Sequence, residues 1–211
     1  MKKLVVFAFI LLSTQAFSQE QGFFGKMLSR TSFGLKAGGN YSNFVDAAFE
    51  TEGLPGFHVG GMINFKLSER FSIQQDFLYS TQGAKLKNPG LFSGQKENIE
   101  LAYMSVPILL RYQTAGGLFL EAGPQANMLI TDDEDFAGYL GVEKFADKVD
   151  AGIAGGLGYE FQKGPVRGLG ISARYYMGFM DVGKFTSASV KPDFKNSVAQ
   201  VSISYVFGKK N

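Results

Sequence analysis

The stretch Ile99–Ile130, IELAYMSVPILLRYQTAGGLFLEAGPQANMLI, decides the fold. Between Ala102 and Tyr112 the even positions form one apolar face, and the odd positions form a second face that carries Arg111. The turn-forming residues Gln113–Gly117 interrupt this pattern, and the alternation then resumes with Glu121 on the polar face. Because side chains alternate between the two faces of a β-strand, the sequence predicts a β-hairpin with one apolar and one polar face.

The distribution of polarity indicates which face of the hairpin points outward. A soluble β-sandwich buries its apolar face against the second sheet and turns charged side chains to solvent. A transmembrane barrel turns its apolar face to lipid and its polar face to the interior. Since the polar face here holds Arg, Glu, Gln and Asn opposite a continuous apolar face, we expect the polar side chains to line the interior.

The same alternation recurs along the chain and predicts eight strands, joined by connections that are alternately long and short. Bacterial outer-membrane barrels have short periplasmic turns and long outer loops. We therefore predict an all-β, eight-stranded antiparallel up-and-down barrel over residues 32–208, in the outer membrane of a Gram-negative bacterium with both termini periplasmic. The predicted strands are Ser32–Tyr41, Gly56–Lys66, Phe71–Thr81, Glu100–Tyr112, Leu118–Ile130, Val149–Gln162, Leu169–Met180 and Asn196–Phe207.

The first 18 residues are typical of a secretory signal peptide. Lys2 and Lys3 precede the uninterrupted apolar run Leu4–Leu12, and the small residues Ala16 and Ser18 suit cleavage before Gln19. We predict that residues 1–18 are removed and that residues 19–31 form a short periplasmic lead-in.

Composition excludes several kinds of site. The chain has no cysteine and one histidine, His58, so thiolate metal sites and histidine-rich zinc sites are excluded. Residues 1–18 hold two lysines and no acidic residue, which leaves 19 basic and 19 acidic residues after cleavage. A neutral chain without a basic stripe argues against nucleic acid as a partner, and no motif indicates a cofactor.

Charged residues at inward positions predict an interior charge network, because isolated buried charges are costly and eight strands enclose little more than their own side chains. If Gln113–Gly117 sets the register, Arg111 lies opposite Phe119 and pairs with its diagonal neighbour Glu121. Gly156 falls opposite Arg174 and leaves room for its guanidinium. The predicted network comprises Lys36, His58, Asp76, Arg111, Glu121 and Arg174, and we expect it to plug the barrel rather than to conduct.

Five segments are distributed over nearly the whole predicted mature chain: Phe33–Asn40, Val106–Tyr112, Leu120–Pro124, Gly155–Glu160 and Arg174–Gly178. Together they resemble the PorT-like family of small outer-membrane β-barrel proteins. The resemblance implies an outer-membrane barrel, and the family's namesake is linked to a protein secretion and gliding apparatus. It therefore implies an envelope or secretion-complex protein as a possible partner.

The last strand resembles the signal that the barrel-assembly machinery recognises. Its polar, small and two aromatic positions are Gln200, Ser202, Tyr205 and Phe207. The polar tail Gly208–Asn211, which follows the usual terminal aromatic residue, departs from that signal. We expect the assembly machinery, outer-membrane lipid and lipopolysaccharide as partners.

Two other functional classes are compatible with parts of the sequence. A lipid-modifying enzyme would use His58 and Asp76, which a turn centred on Ser68 makes diagonal neighbours, with Ser72 or Ser80 nearby. No motif of the G-x-S-x-G kind frames a serine, so we predict a non-enzymatic protein. A lipocalin-like soluble carrier would require the two faces to be exchanged.

The predicted loops contain acidic and apolar residues that allow more than one interpretation. The run Asp132–Asp135 lacks the spacing of a calcium-binding EF-hand loop, and a solvated loop tip is the better interpretation. The apolar loop residues could form a recognition surface or a cap over the barrel mouth. They are Phe44, Phe49, Leu91, Phe92, Phe136, Tyr139, Phe145 and Phe185.

Overall fold

The computed structural model describes residues 29–47, 50–87, 97–133, 146–183 and 194–207. The chain divides into two units, residues 1–31 and 32–211. The predicted signal peptide and nearly all of the predicted lead-in lie outside the described residues. In the described part of the chain, no helix is long and apolar enough to cross a membrane.

Eight antiparallel strands form a closed barrel in which each strand pairs with its sequence neighbours and β8 pairs with β1. The predicted fold class is therefore confirmed. The strands are β1 (Thr31–Val45), β2 (Thr51–Lys66), β3 (Phe71–Leu86), β4 (Asn98–Gln113), β5 (Leu118–Thr131), β6 (Val149–Glu160), β7 (Leu169–Gly178) and β8 (Lys195–Val206).

Side-chain exposure alternates along every strand, as the sequence pattern predicts. Leu35 is 58% exposed, whereas its neighbour Lys36 is 4% exposed; on β7, Ile171 is 51% exposed and Arg174 5%. The barrel thus turns its apolar side chains outward and its charges inward. This arrangement is the reverse of a soluble lipocalin-like carrier, which needs an apolar interior and a polar exterior.

The first four strands extend further toward the long loops than predicted. The segments 42–45 and 51–54 belong to β1 and β2, and residues 82–86 and 98–99 belong to β3 and β4. We expected loops there because the segments contain glycine and polar residues. The strands continue because inward-facing apolar residues, Phe44 and Leu86 among them, bury themselves above the polar interior.

Outward-facing aromatic rings form pairs near the strand ends. At the short-turn end, the ring centroids of Phe71 and Tyr112 are 5.1 Å apart, and those of Tyr205 and Phe207 are 5.3 Å apart. Near the long loops, Phe57 and Tyr79 are 6.0 Å apart. Aromatic residues at both borders of an apolar band match the girdles of membrane barrels.

We predict that Ile171→Arg damages barrel assembly, because a charge on the lipid-facing side costs about 2–4 kcal/mol at the bilayer midplane. The neighbouring interior change Ser172→Asn should cost far less. Heat-modifiable migration on gels measures the folded fraction of both variants. Equal tolerance of the two changes would contradict the inside–outside assignment.

Candidate functional site: the charged interior

Glycines on the inner face of the barrel make room for large polar side chains. A Cβ atom on Gly158 would lie 2.4 Å from the ring of Phe119, and one on Gly38 would lie 2.7 Å from Cε1 of His58. Gly156 lies opposite Arg174, as predicted. The glycine-rich inner face of β1 and β6 therefore fits the space that these side chains need.

Asp76 is the centre of the interior network. Its Oδ2 atom accepts hydrogen bonds from Lys36 Nζ at 2.8 Å and from Arg174 Nη1 at 3.0 Å. Arg174 also binds Oε1 of Glu121 through Nη2 at 2.6 Å. All four side chains are at most 5% exposed, so each charge is balanced inside the barrel rather than by solvent.

Arg111 forms a second ion pair nearer the short turns. Its Nη2 atom donates to Glu160 Oε2 at 2.9 Å, and its Nη1 atom donates to Gln74 Oε1 at 2.8 Å. The guanidinium carbon lies 3.5 Å from the ring centroid of Phe119. Gln74 Nε2 donates to Asp76 Oδ1 at 3.0 Å, so it joins this pair to the central group.

The predicted pair between Arg111 and Glu121 is wrong. The two residues lie directly opposite each other, and Phe119 lies opposite Gln113, so the true register is shifted by two residues from the expected one. Arg111 reaches past Phe119 to Glu160, while Glu121 binds Arg174. Glu160 shares the inward parity of Gly156 along β6, but the alternation does not predict that its partner is Arg111.

His58 does not couple to Asp76, which corrects a second expectation. Lys66 pairs with Ser72 across the turn, so His58 lies opposite Ser80 and Asp76 lies opposite Met62. His58 instead bonds to two other residues. Its Nδ1 atom is 2.7 Å from Asn40 Oδ1, and its Nε2 atom is 2.8 Å from Ser202 Oγ.

These contacts connect β1, β2 and β8 at the β1–β8 seam, where the barrel closes. His58 on β2 reaches over Gly38 of β1 to Ser202 of β8, and Gln200 of β8 donates to Asn40 Oδ1 at 3.1 Å. Two residues of the predicted assembly signal, Gln200 and Ser202, therefore have interior partners. The other two, Tyr205 and Phe207, lie on the outer face.

Asn40 also binds backbone carbonyl groups where the pairing of β2 and β3 is interrupted. The register of β2 and β3 shifts between Gly53 and His58, around Pro55, which has no N–H to donate. The Asn40 amide nitrogen lies 3.0 Å from the Phe57 carbonyl oxygen and 2.9 Å from the Thr81 carbonyl oxygen. We did not predict this role, although Asn40 shares the inward parity of Lys36 along β1.

An apolar cluster closes the barrel on the side of the long loops. Phe44 and Phe194 are in ring contact at 4.4 Å. Phe44 therefore supports the cap interpretation; the other apolar loop residues singled out from the sequence lie outside the described residues. We call this cluster the apolar cap, and it consists of Phe44, Ala84, Leu86, Ile99, Leu101, Tyr103, Ala146, Val182 and Phe194.

The acidic residues at the start of the third long loop bind backbone groups. Asp132 Oδ1 accepts from the Ala146 N–H at 3.2 Å, and Asp133 Oδ2 accepts from the Glu100 N–H at 3.0 Å. Glu134 and Asp135 lie outside the described residues. Within the described residues, no group of three or more His, Cys, Asp or Glu side chains could hold a metal ion.

The six charged side chains around Asp76 and Arg111 therefore form a balanced and closely filled polar core. Lys36, Arg111 and Arg174 balance Asp76, Glu121 and Glu160 in paired contacts. An eight-stranded barrel has little room beyond its own side chains, and these occupy it. The arrangement can hold the barrel rigid, but it offers no open channel at the level of Asp76, which is 0% exposed.

Comparison with known proteins agrees with this architecture. A family model described as "Outer membrane protein beta-barrel domain" matches residues 17–183. No curated protein matches the sequence.

Among solved structures, the chain is similar to Neisserial surface protein A, with 12% identity, a TM-score of 0.50, and 83% of this chain and 97% of that chain covered. It is also similar to OprG from Pseudomonas aeruginosa, with 12% identity, a TM-score of 0.49, and 83% and 95% covered. At 12% identity, the likeness to Neisserial surface protein A shows a common fold and nothing more.

We predict that Arg111→Met and Glu160→Gln each destabilise the barrel by about 3–5 kcal/mol, since removing one partner leaves a buried charge unpaired. The double variant should recover part of that loss. Urea unfolding in lipid vesicles measures the coupling. As a matched comparison, Arg111→Met combined with Glu121→Gln should show weaker coupling; stronger coupling there would contradict the observed partners.

Proposed function

The chain belongs to the family of outer-membrane proteins with a β-barrel domain, and from this premise we propose that it is a closed, non-enzymatic barrel that acts through its outer loops and rim. The observation that carries the proposal is the filled interior. The ion pairs around Asp76 and the apolar cap occupy successive levels of the lumen. Because the lumen is filled, the loops are the part of the barrel that can bind a partner.

We predict that the purified protein shows no stable, porin-sized conductance in planar bilayers. The ion pairs around Asp76 and Arg111 are buried and fill the lumen, so hydrated solutes have no continuous polar path. A large porin reconstituted in the same bilayers serves as the positive control. Reproducible large steps from the wild-type protein would overturn the proposal of a closed barrel.

One observation favours a second candidate, a hydrolase. Ser202, His58 and Asn40 follow the hydrogen-bond order of a serine–histidine–amide triad, with contacts of 2.8 and 2.7 Å. Burial argues against this activity, because the three side chains are 4%, 1% and 6% exposed. A substrate would have to displace the interior packing to reach the Ser202 hydroxyl. We therefore assign the three residues to closure of the β1–β8 seam.

We predict that a fluorophosphonate probe does not label the folded protein, because Ser202 is inaccessible. Ser202→Ala should instead lower the urea unfolding midpoint, since His58 loses one hydrogen-bond partner. An established serine hydrolase in the same vesicles controls for probe reactivity. Labelling of the wild-type chain that disappears in Ser202→Ala would favour the hydrolase.

The resemblance to the PorT-like family extends the proposal to a partner. We infer that the outer rim contacts lipopolysaccharide or an envelope or secretion-complex protein, and that the assembly machinery reads the last strand during insertion. The short turns and both termini then face the periplasm of a Gram-negative cell. The connections at 87–97, 132–148 and 179–194 are longer than the turns at 67–70, 114–117 and 161–168, which supports this orientation. The β1–β2 connection, predicted to be long, is confined to residues 46–50.

A further inference from the structure

A cavity of about 700 Å³ lies on the barrel wall near the long loops, across β2, β3, β4 and β5. Pockets that bind small molecules have volumes of roughly 300–1,000 Å³, so this one has the size of a ligand site. We call it the rim cavity, and it is lined by residues 54–57, 79, 81–82, 100–102 and 131–133. It is separate from the charged interior, because none of the six paired charges around Asp76 and Arg111 lines it.

Small side chains at one level of the wall border this space. Thr81 lies opposite Ala102, and Ala102 lies opposite Thr131. The outward-facing aromatic pair Phe57 and Tyr79 also lines the rim cavity. Tyr79 precedes Thr81 on β3, so this aromatic border lies on the side of the short turns. The rim cavity therefore begins at the aromatic girdle, where the apolar band of the barrel ends, and continues toward the long loops.

An inward-facing side chain also lines the rim cavity, where the pairing of β2 and β3 is interrupted. The register shifts between Gly53 and His58, and Pro55 in this interval lines the cavity. Gln82 lines it as well, although Gln82 is only 2% exposed. Its Nε2 atom donates to Ser80 Oγ at 3.0 Å, but its Oε1 atom is buried and has no hydrogen-bond partner. Buried polar atoms are rarely left without partners, so a donor is expected at Gln82 Oε1.

The charged residues of the rim cavity are acidic. Glu100 lies opposite Gly83, on the long-loop side of Ala102. Its exposed carboxylate forms no hydrogen bond or ion pair within the described part of the chain. Asp132 and Asp133 accept hydrogen bonds from backbone N–H groups at the same border. No Lys, Arg or His is among the described residues that line the cavity, so its charge is complementary to a cationic ligand.

From these observations we propose that the rim cavity binds an amphiphilic organic cation, in which a primary ammonium group is attached to an apolar body. Glu100 supplies the opposite charge, and Gln82 Oε1 supplies a neutral acceptor for the ammonium hydrogens. The apolar body lies against Phe57 and Tyr79, whose ring faces also attract cations. The inference rests on the proposed function, a closed barrel that acts at its loops and rim, and names the class of ligand for that surface.

The test is a fluorescence titration of the wild-type protein in phosphatidylcholine nanodiscs with dansylcadaverine, a primary amine that carries an apolar fluorescent ring system. We expect a saturable increase in dansyl fluorescence above that of empty nanodiscs. The N-acetylated probe has the same ring system and no charge. It should bind about tenfold more weakly, because a hydrogen bond that involves a charged group contributes at this level. Equal binding of the two probes would overturn the proposal, as would the absence of saturable binding.

Three variants locate the binding, and heat-modifiable migration on gels verifies that each is folded. Glu100→Gln should weaken dansylcadaverine binding about tenfold and leave the acetylated probe unchanged. Thr131→Phe fills the cavity without changing charge and should weaken the binding of both probes. Glu69→Gln is the matched control, because it removes an exposed carboxylate in the turn at the other end of the barrel, and it should bind as the wild type does. Equal losses in Glu69→Gln and Glu100→Gln would indicate attraction to surface charge in general and overturn the site.

Planar-bilayer conductance of the same preparation separates failure of this inference from failure of the proposed function. A non-conducting protein without saturable dansylcadaverine binding would overturn the rim site and leave the closed barrel intact. Porin-sized steps that dansylcadaverine blocks would place the amine in an open lumen and overturn both. A non-conducting protein that binds the amine, with the binding weakened in Glu100→Gln and Thr131→Phe, is the expected result.

Discussion

The packing of the polar interior depends on the Asp76 carboxylate, which binds side chains from several strands at once. Lys36 and Arg174 bind one of its oxygen atoms, and Gln74 binds the other. A charge inside a narrow barrel surrounded by lipid has no bulk water to solvate it, so it must find partners among the other strands. Asp76 thereby connects β1, β3 and β7 across the lumen, and through Glu121 and Gln74 it reaches β5 and β4.

The space for this network comes from glycine. Arg174 lies opposite Gly156, and His58 lies over Gly38. Phe119 lies over Gly158, and the Arg111 guanidinium stacks on the Phe119 ring. The interior of an eight-stranded barrel is only just wide enough for its own side chains. Small residues on one strand therefore determine where the long residues of its neighbours can extend.

The lumen changes character from the short turns to the long loops. Ion pairs occupy the levels nearest the short turns and the middle of the lumen, Asp150 and its two asparagines lie beyond them, and the apolar cap lies at the long-loop end. Such a cap resembles the core of a soluble protein inside a membrane barrel. It shields the buried polar groups from external water, which strengthens their electrostatic interactions, and it leaves the rim and loops as the accessible surface.

The sequence by itself determined the eight strands, their inward and outward faces and the identity of most interior charges, because an alternation of period two in a lipid-facing sheet is a local property. It also predicted that Gly156 accommodates Arg174.

Tertiary structure alone decided which charges meet. Arg111 forms an ion pair with Glu160 and not with Glu121. His58 forms hydrogen bonds with Asn40 and Ser202 and not with Asp76. These choices depend on turn register, on the stagger of strands around a closed barrel and on the reach of long side chains across it. None of these three properties is determined by the residues adjacent to Arg111 or His58 in the chain. The same holds for the extension of β1–β4, where burial in the cap outweighed the loop-like composition of the local sequence.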